Sequence, residues 1–92
     1  MSIRRIRRAI REGRYEFTLH ALEEMDEDDI TEADVAQVII AGSLVAKLTD
    51  DPRGTRFVVR GTPKDKDFDI EVVCRFLPSA LMRIITVYTV ED

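Results

Sequence analysis

The single histidine of the chain, His20, has a side chain that could do acid–base chemistry. An imidazole changes protonation near neutral pH, so it can serve as a general acid or a general base. It follows Thr18, a suitable N-cap, by two positions. The sequence shows no partner for it, so a helix-start histidine that hydrogen-bonds to backbone or solvent is the alternative. Tyr88 offers a hydroxyl that could donate a proton or orient a phosphate, although most strand tyrosines only pack.

Basic side chains fall in segments with strand character, and guanidinium and ammonium groups can bind phosphate. The set is Lys47, Arg56, Arg60, Arg75 and Arg83. Arg56 and Arg60 share one face of their strand because side chains alternate along a strand. If that strand pairs with the next one along the chain, the acidic Asp69 and Glu71 share the same face. Cross-strand ion pairs on a solvated surface are therefore the alternative to a phosphate-binding patch.

Several kinds of site are excluded by the residue inventory. One histidine and one cysteine cannot supply the ligands of a zinc site, so no metal is predicted. No glycine-rich phosphate loop or dinucleotide fingerprint occurs, so no cofactor is predicted. Cys74 has no disulfide partner within the chain, which fits a reducing cytoplasm. Neither a secretory signal nor an apolar run of about 20 residues is present, so we expect a soluble, cytoplasmic protein with no membrane partner.

The net charge of −4 conceals a strong asymmetry along the chain. Residues 1–14 carry a net charge of +5, residues 15–34 carry −9, and the remainder sums to zero. The basic segment could pair with the acidic stretch at residues 23–29 inside the molecule. Alternatively, the two segments could be separate surfaces for separate partners.

Hydrophobic periodicity predicts an α+β protein with a single domain over residues 1–92. Two to three N-terminal helices are expected to pack on a four-stranded antiparallel β-meander. The helices are predicted from about residue 2 to Gly13, from Thr18 to about Glu27, and from the capping-box-like Thr31–Asp34 to Gly42. Tyr15 and Phe17 are assigned to an extended connector. The strands are predicted over residues 44–49, 55–61, 68–76 and 81–90, with the last one in the middle of the sheet or covered on both faces.

An ordered set of short sequence words resembles a family of small bacterial proteins of unknown function. The words are residues 10–15 (IREGRY), 18–21 (TLHA), 30–35 (ITEADV), 42–44 (GSL), 50–54 (DDPRG), Gly61 and 86–88 (TVY). In that family a His-Ala pair opens one helix and an Ile-Ser/Thr-x-x-Asp-Val phrase opens the next. Its architecture is similar to that of RelE/BrnT-type toxin ribonucleases, and the element order is similar to that of motility quorum-sensing regulator interferases.

This resemblance implies metal-free cleavage of RNA, with a 2′-hydroxyl attacking the phosphate. It implies acid–base roles for His20 and Tyr88 and phosphate binding by Arg56 and Arg75, with Lys47 and Arg60 completing the predicted RNA-binding set. The chain departs from such ribonucleases in its pI of about 5.0. It also departs from the family pattern by having Glu23 and Glu24 where an arginine is common.

Two functions of different class follow. The first is a toxin-like, metal-independent endoribonuclease, or a degenerate relative, whose partners are RNA and an antitoxin or other small protein. The second is a non-catalytic module for protein binding or homodimer formation, suggested by the opposed charges of the first two helices and by the apolar last strand.

Overall fold

The structure of the chain is a computed structural model that describes residues 2–91. Three helices and five strands follow one another along the chain. They are α1 (Ser2–Arg11), β1 (Tyr15–Phe17), α2 (Leu19–Glu27), α3 (Glu32–Ala41), β2 (Ser43–Leu48), β3 (Arg56–Gly61), β4 (Ile70–Phe76) and β5 (Met82–Thr89). The predicted α+β class is confirmed.

The strands form one mixed sheet in the order β1-β5-β4-β3-β2. β2 to β5 form the predicted antiparallel meander, and β5 lies inside the sheet between β1 and β4, the first of the two alternatives for the last strand. The prediction of only four strands is wrong, because the Tyr15–Phe17 connector pairs in parallel with β5. Three residues are too short to show the alternation of a strand. Pairing with a distant segment, rather than local preference, makes this stretch a strand.

The hydrophobic core lies between the helices and one face of the sheet. Its fully buried side chains include Ile6, Val35, Ile39, Val59, Ile70, Val72, Met82, Ile84 and Val87. α2 packs mainly on β5, α3 on β3 and β4, and α1 on α3. The helices therefore cover one face and leave the polar side chains of β3, β4 and β5 on the other.

Local capping fixes where α2 and α3 begin, as the sequence predicts. The Thr18 hydroxyl accepts a hydrogen bond from the Ala21 amide at 3.1 Å. Thr31 and Asp34 form a reciprocal capping box, with bonds of 3.0 and 3.1 Å. Each bond satisfies a helix-start donor that would otherwise lack a partner.

The basic α1 does not neutralise the acidic α2. Among residues 2–91, no ion pair joins the two helices. Arg7 instead donates to the carbonyl oxygens of Ile39 and Gly42, at 3.1 and 2.8 Å, at the end of α3. Of the other arginines in α1, Arg5 lies over the ring of Phe76 and Arg8 pairs with Glu12.

Candidate functional site

The face of the sheet opposite the helices, which we call the polar face, carries most of the side chains with possible chemistry. Pairing in the sheet aligns them in rows across the strands. One row contains Arg60, Glu71 and Tyr88, and the neighbouring row contains Val58, Val73 and Thr86. The structure therefore brings Tyr88 and Arg60 to the same end of the sheet.

His20 lies in the first turn of α2, at the margin of the polar face. Its side chain is 68% exposed, and its Nε2 lies 3.4 Å from Oε1 of Glu24. The two residues are four positions apart and therefore lie on the same side of the helix. The imidazole is thus accessible to a ligand and has a carboxylate partner.

Glu24 is held against β5 by the backbone of that strand. Because β1 ends at Phe17, the second half of β5 lacks a neighbouring strand on that side. The Glu24 carboxylate accepts from the Val87 amide at 2.9 Å and from the Thr86 hydroxyl. The carboxylate therefore closes an open sheet edge and connects His20 to the polar face.

The start of α2 is hydrogen-bonded to β5 at a bulge in that strand, next to the residues that hold Glu24. The register shift between Val73 and Cys74 leaves Ile85 as an extra residue in β5. The Thr18 hydroxyl donates to the carbonyl oxygen of Ile85 at 2.8 Å, and the Thr18 amide donates to that of Ile84 at 3.0 Å. These contacts fix the position of His20 relative to Tyr88.

Tyr88 is a hydrogen-bond donor on the polar face. Its hydroxyl donates to Oε1 of Glu71, and the residue is 38% exposed. The hydrogen bond to Glu71 and, secondarily, burial raise the pKa of Tyr88 to about 12. The hydroxyl therefore keeps its proton at neutral pH.

Arg60 continues this network towards β3. Its Nε lies 2.8 Å from Oδ2 of Asp69, and its Nη1 lies 3.8 Å from Oε2 of Glu71. The hydroxyl of Thr62 and the Arg60 guanidinium lower the pKa of Asp69. The cross-strand ion pairs expected from strand parity are therefore present around Arg60.

Arg56 and Arg75 lie towards the other end of the polar face. Arg75 is four residues from Glu71 on one strand, which corresponds to about 13 Å. Its side chain is 9% exposed, and its Nη1 lies 3.3 Å from Oδ2 of Asp51. Arg56 lies 3.5 Å from the same oxygen. The structure does not bring these two arginines together with Tyr88 and His20.

Lys47 lies on the other face of the sheet. A bulge between Leu44 and Ala46 inserts one residue into β2, so Lys47 pairs with the core residue Phe57. A shift of one residue inverts the side-chain pattern of a strand, and this moves Lys47 away from the arginines. The six predicted site residues thus occupy three separate places.

The sequence interpretation assigned no contact to two acidic residues of the site, Glu24 and Asp51, whereas it did place Glu71 on the face of the arginines. Glu24 could have been found, because its spacing from His20 is that of neighbours on a helix. The contact between Asp51 and Arg75 depends on how a loop folds back, and no spacing rule predicts that.

No group of three metal-ligating side chains occurs among residues 2–91. Over the same range, every helix is too short or too polar to cross a bilayer.

Comparison with known families identifies a match over most of the chain. A family described as a domain of unknown function, DUF4258, matches residues 17–89. This segment runs from the end of β1 to the end of β5, so it contains every residue of the candidate site. No curated protein and no solved structure matches the chain. The family match spans well over half of the sequence, and the chain therefore belongs to the DUF4258 family, a family of unknown function.

Proposed function

We propose that this protein is a metal-independent endoribonuclease that cleaves single-stranded RNA, with His20 and Tyr88 in the reacting site. One observation carries the proposal: an accessible imidazole lies 3.4 Å from a carboxylate that is itself fixed to the sheet edge bearing Tyr88. A general base oriented by a third, anchored group is a recurring arrangement in acid–base catalysis. The toxin type is proposed from the sequence resemblance alone.

The proposed reaction needs only groups of the chain and of the RNA. His20 Nδ1, the ring nitrogen that does not face Glu24, accepts the proton of a ribose 2′-hydroxyl, and the 2′-oxygen attacks the adjacent phosphorus. The bond between phosphorus and the 5′-oxygen breaks, and the 5′-oxygen takes a proton from the Tyr88 hydroxyl. Tyr88 then regains a proton from water and His20 releases its proton to water, so both side chains return to their starting states. The products are a 2′,3′-cyclic phosphate and a 5′-hydroxyl end.

The free protein holds the Tyr88 hydroxyl in a hydrogen bond that the substrate must replace. The Tyr88 hydroxyl donates to Glu71, so a substrate oxygen has to replace this carboxylate as the acceptor. Arg60 is the nearest cation in the same row, and it would offset the phosphate charge while remaining bonded to Asp69. Glu24 would stabilise the imidazolium that forms.

Cleavage of a single-stranded RNA by the purified chain in the presence of EDTA tests the proposal. The wild type should cut the RNA, and His20→Ala should be slower by about 10²-fold or more, as expected for loss of a general base. Tyr88→Phe should also be slower. Lys47→Gln is the matched control, because Lys47 lies on the other face of the sheet. Intact RNA with the wild type, or equal cleavage by His20→Ala, would overturn the assignment.

Growth after induced expression tests the toxin type separately. We expect the wild type to arrest growth and fragment cellular RNA, and His20→Ala, expressed to the same level, to do neither. Cleavage in vitro without growth arrest would leave the ribonuclease assignment standing and remove the toxin type.

A second candidate function is a dimerisation module, favoured by the exposed side of α2. Leu19 is 72% exposed and Leu22 is 43% exposed, although both are large apolar residues. No cation within residues 2–91 pairs with the carboxylates of residues 26–29, at the helix end where the dipole disfavours anions. The exposed arginines of α1 in a second copy would be complementary to this surface.

Light scattering at low and high salt tests the dimer. We expect a dimer at low salt that weakens as salt screens the charge contacts, and that Leu19→Ser with Leu22→Ser abolishes. A monomer under all conditions would eliminate this function.

A further inference from the structure

The proposed reaction uses only the end of the polar face that carries Tyr88 and Arg60. At the other end, an excess of positive charge surrounds one carboxylate. Three guanidinium groups approach Asp51. Arg53 lies 3.2 Å from its Oδ1, and Arg75 and Arg56 lie 3.3 and 3.5 Å from its Oδ2. Asp50 is the other nearby acid, 3.6 Å from Arg56, but its side chain is 85% exposed to water. Within residues 2–91, Asp51 is thus the only sheltered carboxylate that pairs with these three guanidinium groups.

Arg56 is incompletely bonded in this cluster. Its Nε is buried and has no hydrogen-bond acceptor, because the approach to Asp51 is too long for a hydrogen bond. A buried N–H of a charged group that lacks an acceptor is costly. An anion with more oxygens than a carboxylate, placed among the three guanidinium groups, would supply the missing acceptor.

The segment that carries Asp51, residues 49–55, which we call the Asp51 loop, connects β2 to β3 and lies over Arg75. Arg75 is only 9% exposed beneath it, and Gly54 adopts a φ of +127° next to the Arg75 side chain. Within the loop, the Asp51 carboxylate also accepts from the Arg53 amide at 2.9 Å. Asp51 is therefore held partly by its own loop and partly by the arginines of the sheet.

We propose that Arg53, Arg56 and Arg75 form a phosphate-binding site whose place is taken by the Asp51 carboxylate in the free protein. A phosphate group presents oxygens that match the forked geometry of guanidinium groups, and its charge would balance the cluster better than one carboxylate does. When phosphate binds, Asp51 leaves the arginines and the Asp51 loop moves off Arg75. The phosphate-binding site does not depend on the proposed RNA cleavage, because it contains none of the residues proposed for that reaction, His20, Tyr88 and Arg60.

Binding of inorganic phosphate to the folded full chain, measured by titration calorimetry at constant ionic strength, tests the site. Asp51→Asn keeps an oxygen that can accept from the Arg53 amide but removes the competing charge. This variant should bind phosphate about tenfold or more tighter than the wild type. The gain should disappear when Arg56→Gln is added.

Glu12→Gln is the matched control, since it removes one negative charge from a carboxylate that is bonded by two arginines, Arg8 and Arg14, outside both proposed sites. It should leave phosphate affinity unchanged. Equal affinity of Asp51→Asn and the wild type, or an equal gain from Glu12→Gln, would overturn the proposal.

A second measurement uses the wild type alone, in case Asp51→Asn does not fold. Phosphate, compared with chloride at equal ionic strength, should shift the amide resonances of Arg53 and Gly54 in a saturable manner. These amides report directly on the Asp51 loop. Resonances that do not respond to phosphate would also overturn the site.

Discussion

Two glutamates set the roles of the two proposed catalytic side chains. Glu24 lies at the centre of contacts from His20, Thr86 and the Val87 amide, so it can orient the imidazole only in one direction. Glu71 accepts a hydrogen bond from the Tyr88 hydroxyl and raises the pKa of Tyr88. At the scale of single residues, the polar face therefore carries a tyrosine hydroxyl that keeps its proton at neutral pH, and an exposed imidazole lies at its margin.

The Tyr88 hydroxyl should titrate near pH 12, well above an ordinary tyrosine. The hydrogen bond to Glu71 is the largest cause and burial the next, and both favour the protonated form. The measurement is the ultraviolet absorbance of tyrosinate in a Tyr15→Phe background, where Tyr88 is the only tyrosine left. Because folding raises the pKa of Tyr88, the contribution of this hydroxyl to the free energy of unfolding is complete below the pKa of tyrosine in the unfolded chain. It is lost as pH rises through about 12.

Glu71→Gln provides the comparison for this titration. The amide removes the negative charge, so the midpoint should fall towards the usual 10.0. A midpoint near 10 in the Tyr15→Phe protein itself would show that Glu71 does not hold the Tyr88 proton in solution.

At the scale of elements, local sequence predicted what depends on neighbouring residues. The starts of α2 and α3 were predictable because Thr18 and the Thr31–Asp34 box contact groups within three residues. β1 could not be predicted from local sequence, because its pairing partner lies more than sixty residues away. The face on which Lys47 lies could not be predicted either, since the bulge in β2 has no marker such as glycine.

The same distinction applies to the candidate site. The shared face of Arg60 and Glu71 follows from strand parity and register, so it could be predicted. The separation of Arg75 from Tyr88 follows from the register of β4 and β5, which places Tyr88 opposite Glu71, four residues from Arg75. The contact of Arg75 with Asp51 depends instead on the fold of the Asp51 loop, which no short sequence pattern predicts.

The Asp34 carboxylate should make α3 sensitive to acid. Burial opposes ionisation, but the Thr31 amide and the Lys66 ammonium outweigh it and lower the pKa of Asp34 below its usual 3.8. The contribution of ionised Asp34 to the free energy of unfolding is therefore complete above pH 3.8, the usual pKa. It is lost as pH falls through the lower pKa that Asp34 has in the folded protein. Urea unfolding between pH 6 and about pH 2.5 measures this loss.

Asp34→Asn isolates the contribution of this residue, since other carboxylates with lowered pKa values, such as Asp51 and Asp69, remain. The variant should lose less stability than the wild type over the acid range. Parallel curves for the two proteins would mean that Asp34 ionisation does not support α3.

The junction between α3 and β2 should tolerate only glycine at position 42. A Cβ there would overlap the carbonyl oxygens of Val38 and Arg60, both of which belong to the backbone and cannot move independently. Gly42→Ala should therefore lower the free energy of unfolding by about 2 kcal/mol or more. Ser43→Ala, at the exposed neighbour, should change it by less than about 0.5 kcal/mol. Equal stability of Gly42→Ala and the wild type would show that the junction can open.

At the scale of the whole molecule, β5 links the core to the site. It pairs with β1 and β4, contacts α2 along its remaining edge, and contributes Thr86 and Tyr88 to the polar face. Met82, Ile84 and Val87 of the same strand are fully buried in the core, and the bulge at Ile85 accounts for the wider spacing of the last two. The site geometry is therefore as stable as the sheet, except at the Asp51 loop.

Cys74 gives a direct measurement of that global stability. It lies on β4, between β3 and β5, with no solvent exposure, and burial raises the pKa of its thiol to about 12. A disulfide reagent at pH 8 should therefore label it only through unfolding, about 10³-fold or more slower than in the denatured chain. The chain has one cysteine, so the signal reports a single site.

The labelling rate should rise with urea in step with the loss of helical circular dichroism, because exposure of Cys74 requires separation of the helices from the central strands. Fast labelling without denaturant would instead mean that β4 opens locally, and the polar face could then not be held rigidly by the sheet.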